Sequence, residues 1–250
     1  MKVGLLITAR LKSTRLPGKL LLKIFDTEMM TWMVKRVKLS KVLDEIIIAT
    51  STNEKDTRLC QIADENGIKY FRGSENDVVE RLYYAAKEFH LDYVLNITAD
   101  CPLVSYDFFD KVVEEYKRTN ADLITINDLS HGFYVYGVKV EALKKVLEIK
   151  NDNDTEIWGG YFKETGLFVV KDMAVPKEYH RVGYRLTLDY QEDFDFFEAV
   201  FHGIGKETYK KTTRELLKFL DAHPEIVSIN SQCEKKYQDR WNSQKKVILK

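Results

Sequence analysis

The sequence predicts an α/β fold: a mainly parallel, twisted sheet with helices on both faces and a small antiparallel sub-region. Short apolar runs alternate with amphipathic helical patterns through the first half of the chain. Those runs are apolar at nearly every position, as strands sandwiched between two helical layers must be. From about residue 130 the pattern changes to one that alternates in polarity, the mark of an antiparallel strand.

Each element follows from its own residues. "VGLLIT" (3–8) is a buried strand, and residues 27–40 form a helix with Thr27 as N-cap and Met30, Met33, Val34 and Val37 on one face. A second buried strand, "EIIIAT" (45–50), precedes a helix over 53–67 that Gly67 closes. A short strand over 69–73 leads into a strongly amphipathic helix over 77–90, and 92–100 is a third long strand. A helix over 106–119 and a strand over 121–126 follow. Beyond them come a strand over 133–140, a helix over 141–149 and a mixture of turn and short helix over 151–162. Strands over 166–173 and 184–190, helices around 191–202 and 212–221, and a polar tail containing Trp241 complete the chain. Only 4 prolines and no Gly/Ser-rich linker interrupt it, so residues 1–250 read as a single domain with an embedded sub-region at about 130–180.

Composition narrows the function. The 250 residues are 44% hydrophobic and 31% charged, as in an ordinary soluble globular protein. Lys+Arg and Asp+Glu both count 39, so bulk attraction to nucleic acid or a membrane surface is not supported and any anion site is local. Cys60, Cys101 and Cys233 form neither a C-x-x-C motif nor a disulfide framework, which fits a reducing cytoplasm. The apolar run at the amino end is too short for a signal-peptide core.

In sheets of this kind ligands gather beyond the carboxyl ends of strands. Residues 9–19, 50–53 and 99–103 occupy such exits. The first carries Arg10, Lys12, Arg15 and Lys19 with no acid among them, beside the hydroxyls of Ser13 and Thr14 and a Leu16-Pro17-Gly18 turn. Cations so close repel one another, so the loop either faces open water or meets an anion, and a triphosphate suits it. Neither G-x-x-x-x-G-K-[ST] nor G-x-G-x-x-G is present there, against P-loop and Rossmann enzymes. Asp100, ending one strand, suits Mg2+ or simply a turn. Asp189, ending another, either offers a carboxylate or caps the next helix, with Glu192 completing a capping box. Arg72 and Asp77 lie between a strand and a helix, where ordinary capping by Ser74 or Asn76 accounts for most residues. Cys101 reads as a small packed thiol, and the histidines lack zinc spacing.

"ARLKSTRLPGKLLL" resembles the A-R-x-x-S-x-R-L-P-x-K signature of the sugar-acid cytidylyltransferases, which include the Kdo and acylneuraminate enzymes and the spore-coat polysaccharide F group. "EIIIATSTNEKD", "YFRGSENDVVERLYYAAKEF", "ITADCPLV" and "YRLTLDYQEDF" continue the likeness in family order, best with the spore-coat branch, where the central motif reads D-C-P. The resemblance implies a nucleotide-diphospho-sugar transferase (GT-A-like) fold and transfer of CMP from CTP to a small-molecule acceptor, a sugar, sugar acid or phosphorylated compound, with release of pyrophosphate. It implies Mg2+ held by Asp100 and Asp189, and nucleotide contacts from Ala9, Arg10, Ser13, Arg15 and Lys19, with Arg72 and Asp77 alongside. Arg10 and Lys19 join the two aspartates as catalytic groups. A homodimer and a role in surface polysaccharide or glycoconjugate synthesis are further implications, with 130–180 serving the acceptor or the dimer. The stretch "GFYVYGV" departs from the spore-coat pattern by placing Tyr134 and Tyr136 where acids are common. These two, Trp158 and Tyr161 are acceptor candidates, with aromatic core packing as the alternative. Two other readings stand beside this one: a GT-A glycosyltransferase, whose D-x-D is missing because residue 98 is Thr, and a non-catalytic nucleotide-binding protein.

Overall fold

Strand β1 (Val3–Thr8) lies inside a seven-stranded sheet; its apolar residues point alternately to two cores. The computed structural model describes residues 1–244 and 247–250. A two-residue ribbon, β2 (Lys23–Ile24) with β3 (Thr27–Glu28), turns through Phe25 and Asp26, both at positive φ. The other strands are β4 (Glu45–Ser51), β5 (Lys69–Gly73), β6 (Tyr93–Thr98), β7 (Leu123–Thr125), β8 (Tyr136–Lys139) and β9 (Val170–Asp172). Their order is β5-β4-β1-β6-β8-β7-β9. From β5 to β6 the pairing is parallel, with Leu6 opposite Ile47 and Asn96. β8 then runs antiparallel to both β6 and β7, while β7 and β9 are parallel. The predicted architecture is therefore present, with its antiparallel part in the middle of the chain.

Leu5 and Ile7 enter one core and Leu6 the other. The first is covered by α1 (Met29–Val37), α2 (Thr57–Glu65), α4 (Phe109–Thr119), α7 (Gln191–Ile204) and α8 (Thr213–Ala222). The second is covered by α3 (Val78–Glu88), α5 (Val140–Ile149) and the short α6 (Gly159–Lys163). Period-2 strands between period-3.6 helices give each face its own apolar set. Gly67, at φ 61°, closes α2 as expected.

Several boundaries differ from the sequence reading. Thr27 belongs to the ribbon, so α1 begins at Met29 with Glu28 in the capping position. Residues 184–190 run extended but form no ladder strand among the described residues, where their bridge is His131 with Arg185. The polar tail is helical, in α9 (Pro224–Ser228) and α10 (Cys233–Gln244). No helix among the described residues is long and apolar enough to cross a membrane.

This topology brings two strand ends to one corner. Thr8 pairs with Thr98, so β1 and β6 end side by side, the first running into the cationic loop and the second into Asp100. Leu188 N–H donates to the Asp100 carbonyl (2.7 Å) and Leu186 N–H to His131 O (2.7 Å), which lays the extended segment across the β6 exit. Gly132 makes the crossing possible: at φ 99° it lies so close to that segment that a Cβ would meet Leu186 O at 2.1 Å.

Candidate active site

Asp100 and Asp189 meet at one ammonium group. Lys19 Nζ lies 2.9 Å from Asp100 Oδ2 and 2.9 Å from Asp189 Oδ1. The Asp189 side chain is 1% exposed and that of Lys19 11%. Asp189 Oδ1 also accepts from Arg15 Nη2, and its Oδ2 from Arg185 Nη2 at 2.9 Å. Burial opposes charge on Lys19, yet the two carboxylates outweigh it and hold the ammonium above its usual range. Burial would likewise raise the Asp100 carboxyl; Lys19 and a bond from Thr98 instead hold it well below the usual carboxylate range.

Two cavities meet at this point. A cationic chamber of about 300 Å3 is lined by Ala9, Arg10, Ser13, Arg15, Lys19 and Asp100, with Val78 and Arg81 of α3. An aromatic chamber of about 270 Å3 has Tyr134, Tyr136, Trp158, Tyr237 and Trp241 on its walls. Arg15, Thr98, Asp100, Glu156, Trp158 and Arg240 line both. Asp100 and Arg15 thus stand on the common wall of a cation-lined space and an aromatic-walled one, while Lys19 lines the first alone and the buried Asp189 lines neither.

The loop holds its shape by local bonds: Ser13 Oγ accepts from Leu16 N–H (3.3 Å), and Leu16 O from Lys19 N–H (3.2 Å). Arg10 donates to Glu75 O (2.6 Å) and pairs with Glu156 at 3.1 Å. Arg81 is wholly buried, donates to Ser74 O (2.6 Å) and leaves Nε without a partner among the described residues. Its pKa is lowered to about 10 by burial.

Other predicted residues lie elsewhere. Arg72 donates to Ser51 O (3.0 Å) and Asn53 O (2.8 Å), bracing the β4 exit outside both chambers. Asp77 is buried as the N-cap of α3; it accepts from Glu80 N–H (3.1 Å) and Thr155 Oγ1 (2.8 Å) and pairs with Lys150. Tyr161 is packed in the second core with Phe162. Tyr134, Tyr136 and Trp158 do reach the aromatic chamber, Trp158 edge-on to Tyr136 at 5.5 Å. Asp193, rather than Glu192, caps the start of α7, accepting from Tyr190 N–H (3.0 Å) and Asp189 N–H (2.9 Å). Cys101 is a packed thiol whose pKa burial raises.

Residues the sequence reading missed come chiefly from α10. Glu234 accepts from Arg185 Nη1 (2.9 Å) and lies 2.9 Å from His131 Nδ1. Tyr237 packs on the His131 ring at 4.5 Å and under the Arg185 guanidinium at 5.2 Å. Burial alone would raise the Glu234 carboxyl, but His131 and Arg185 bring it down to about 2.

Asp100 and Asp189 are hard oxygen donors aimed at one point, the kind Mg2+ takes together with phosphate oxygens. No group of three or more His, Cys, Asp or Glu converges among the described residues. An ion held here therefore needs further oxygens, from a ligand or from water.

A sequence model of the cytidylyltransferases matches residues 5–220. The chain belongs to the cytidylyltransferase family. The likeness read from its motifs is borne out, and the protein is a nucleotidyltransferase. An uncharacterised protein of Methanocaldococcus jannaschii is 33% identical over 238 residues, 94% of this chain and 97% of its own. The spore coat polysaccharide biosynthesis protein SpsF of Bacillus subtilis is 28% identical over 89% of this chain and 95% of its own. The structure of a cytidylyltransferase from Leptospira borgpetersenii superposes with a TM-score of 0.82 at 28% identity, covering 91% of this chain and 97% of that one. In this cytidylyltransferase the family segment contains the cationic loop, Asp100 and Asp189, whereas α10 lies beyond it.

Proposed function

We propose that the protein transfers CMP from CTP to a sugar, sugar acid or phosphorylated acceptor and releases pyrophosphate, with Mg2+ as cofactor, in the synthesis of a surface polysaccharide or glycoconjugate. The observation that carries this reading is the shared wall: a cation-lined chamber and an aromatic chamber meet at Asp100. A transfer between two bound substrates needs them to face each other across the reacting phosphorus. The first chamber suits the nucleotide. Arg10, Arg15 and Lys19 take the β- and γ-phosphates and offset the charge that builds on departing pyrophosphate. The second suits the acceptor, whose apolar faces lie on Tyr136 and Trp158. Its hydroxyl oxygen forms the new bond to the α-phosphorus as the bond to pyrophosphate breaks, in line. Asp100 and Asp189 hold the metal. When bound there, Mg2+ neutralises phosphate charge and eases ionisation of the acceptor hydroxyl.

The test is a pyrophosphate-release screen of the four nucleoside triphosphates against acidic sugars and phosphorylated acceptors. CTP is the expected donor. Asp100→Asn should lower turnover by about 100-fold or more, the loss of several kcal/mol of charge stabilisation, with an unchanged circular dichroism spectrum. Pyrophosphate release by Asp100→Asn at the wild-type rate defeats the assignment.

A further inference from the structure

Each cation of the 9–19 loop already has an acid. Lys12 pairs with Glu75 at 3.3 Å, Arg10 with Glu156 at 3.1 Å, Arg15 with Asp189, and Lys19 with both Asp100 and Asp189. The loop that the sequence presents as bare positive charge is neutralised from within.

Two of these pairs differ in kind. Glu156 is 70% exposed, so its hold on Arg10 is weak and a phosphate displaces it at little cost. Lys19 is nearly buried and bonded on two sides, and an ammonium of that kind is not released into an apolar surround without a new partner. A divalent ion approaching Asp100 and Asp189 without nucleotide finds that ammonium between its two ligands. A polyphosphate approaching without the ion can draw Lys19 off only by leaving Asp100 without an ion-pair partner among the described residues and Asp189 to Arg15 and Arg185 alone. When ion and polyphosphate arrive together, every charge exchanges one partner for another.

We infer that Lys19 is an internal stand-in for the divalent cation: it must pass from Asp100 and Asp189 to the nucleotide phosphates before those carboxylates take the ion, so ion and nucleotide bind as one unit. This rests on the reading that the cationic chamber receives a nucleoside triphosphate. Lys19 then acts twice, first holding the two carboxylates together and afterwards neutralising the phosphates. By linkage, the factor by which nucleotide tightens the ion equals the factor by which the ion tightens nucleotide.

Calorimetry with Mn2+ and CTP tests this without any acceptor. Mn2+ is titrated into the protein free of nucleotide, as wild type, Lys19→Met and Lys19→Met/Asp100→Asn. The expected result is that Lys19→Met takes up one Mn2+ at least about tenfold more tightly than wild type, within the usual range of coupling between sites, and that the double variant does not. Equal Mn2+ affinity in wild type and Lys19→Met overturns the inference. A second arm needs no variant and covers the case in which Lys19→Met does not fold. Wild-type protein is titrated with CTP in EDTA and again with saturating Mn2+; affinity should rise by about tenfold or more, and equal affinities overturn the inference. Absence of CTP binding under both conditions refutes the nucleotide reading itself, a result distinct from either failure above.

Discussion

Replacing Arg185 by Met removes the cation on which the corner around Asp189 is assembled. The Arg185 side chain is 0% exposed; Nε lies 2.9 Å from Asp193 Oδ1, Nη2 2.9 Å from Asp189 Oδ2, and Nη1 2.9 Å from Glu234 Oε2. Methionine fills much of the same stem without the charge. The three acids do not suffer equally. Asp189 retains Lys19 and Arg15, and Glu234 retains His131. Asp193, also fully buried, keeps only neutral donors among the described residues: the Asn230 amide at 2.8 Å and the N–H groups of Asp189 and Tyr190. The loss is therefore dominated by one stranded carboxylate, about 3–5 kcal/mol for breaking a buried pair from one side. That is a large part of a total stability of about 5–15 kcal/mol. Urea unfolding followed by far-UV circular dichroism reads it as a lower midpoint with an unchanged slope. Adding Asp193→Asn should restore part of the loss, because it removes the stranded charge while keeping an acceptor. A loss below about 1 kcal/mol, the scale of an exposed pair, or no recovery in the double variant, refutes the reasoning.

Gly132→Ala should lower the melting temperature by about 5 °C or more, because it combines a positive φ with a backbone clash at Leu186 O; differential scanning calorimetry checks it. Thr155→Val strips a buried partner from both Val79 N–H and Asp77, and should cost about 1–3 kcal/mol in urea unfolding. Glu234 gives a pH signature. Its carboxyl falls from the ordinary 4.5 to about 2 on folding, so its contribution is complete above 4.5 and is lost as pH drops towards 2. The stability gap between wild type and Glu234→Gln should accordingly shrink as pH falls from about 4.5 towards 2, as measured by denaturant titration at stepped pH.

Much of the fold is written locally. β1, β4 and β6 are legible because their burial on both faces leaves almost no polar residue, and α3 because Val78, Val79, Leu82, Ala85 and Ala86 keep one face. The cationic loop and Asp100 could be singled out because strand exits collect ligands whatever the chemistry, and Asp189 because its motif resembles that of the family. What escaped depends on distant pairings. Asp77 reads as a nucleotide contact until Lys150 and Thr155 are seen to claim it. Residues 184–190 have strand composition, yet among the described residues a single bridge, Arg185 with His131, takes the place of a ladder. α10 hides because what seats it is an acid, Glu234, and an amphipathic aromatic, Tyr237, rather than an apolar stripe. Its charged sequence reads as solvated until Arg185 is placed opposite.

The aromatic chamber takes part of its enclosure from Tyr237, Arg240 and Trp241, beyond residue 220, where the match to the family model ends. A chain cut at that limit would keep the cationic loop and both aspartates but lose one side of the neighbouring compartment. Changes in the tail can therefore reshape that compartment while the cationic loop and both aspartates stay as they are. Loop and tail thus shape adjoining spaces from opposite ends of one polypeptide.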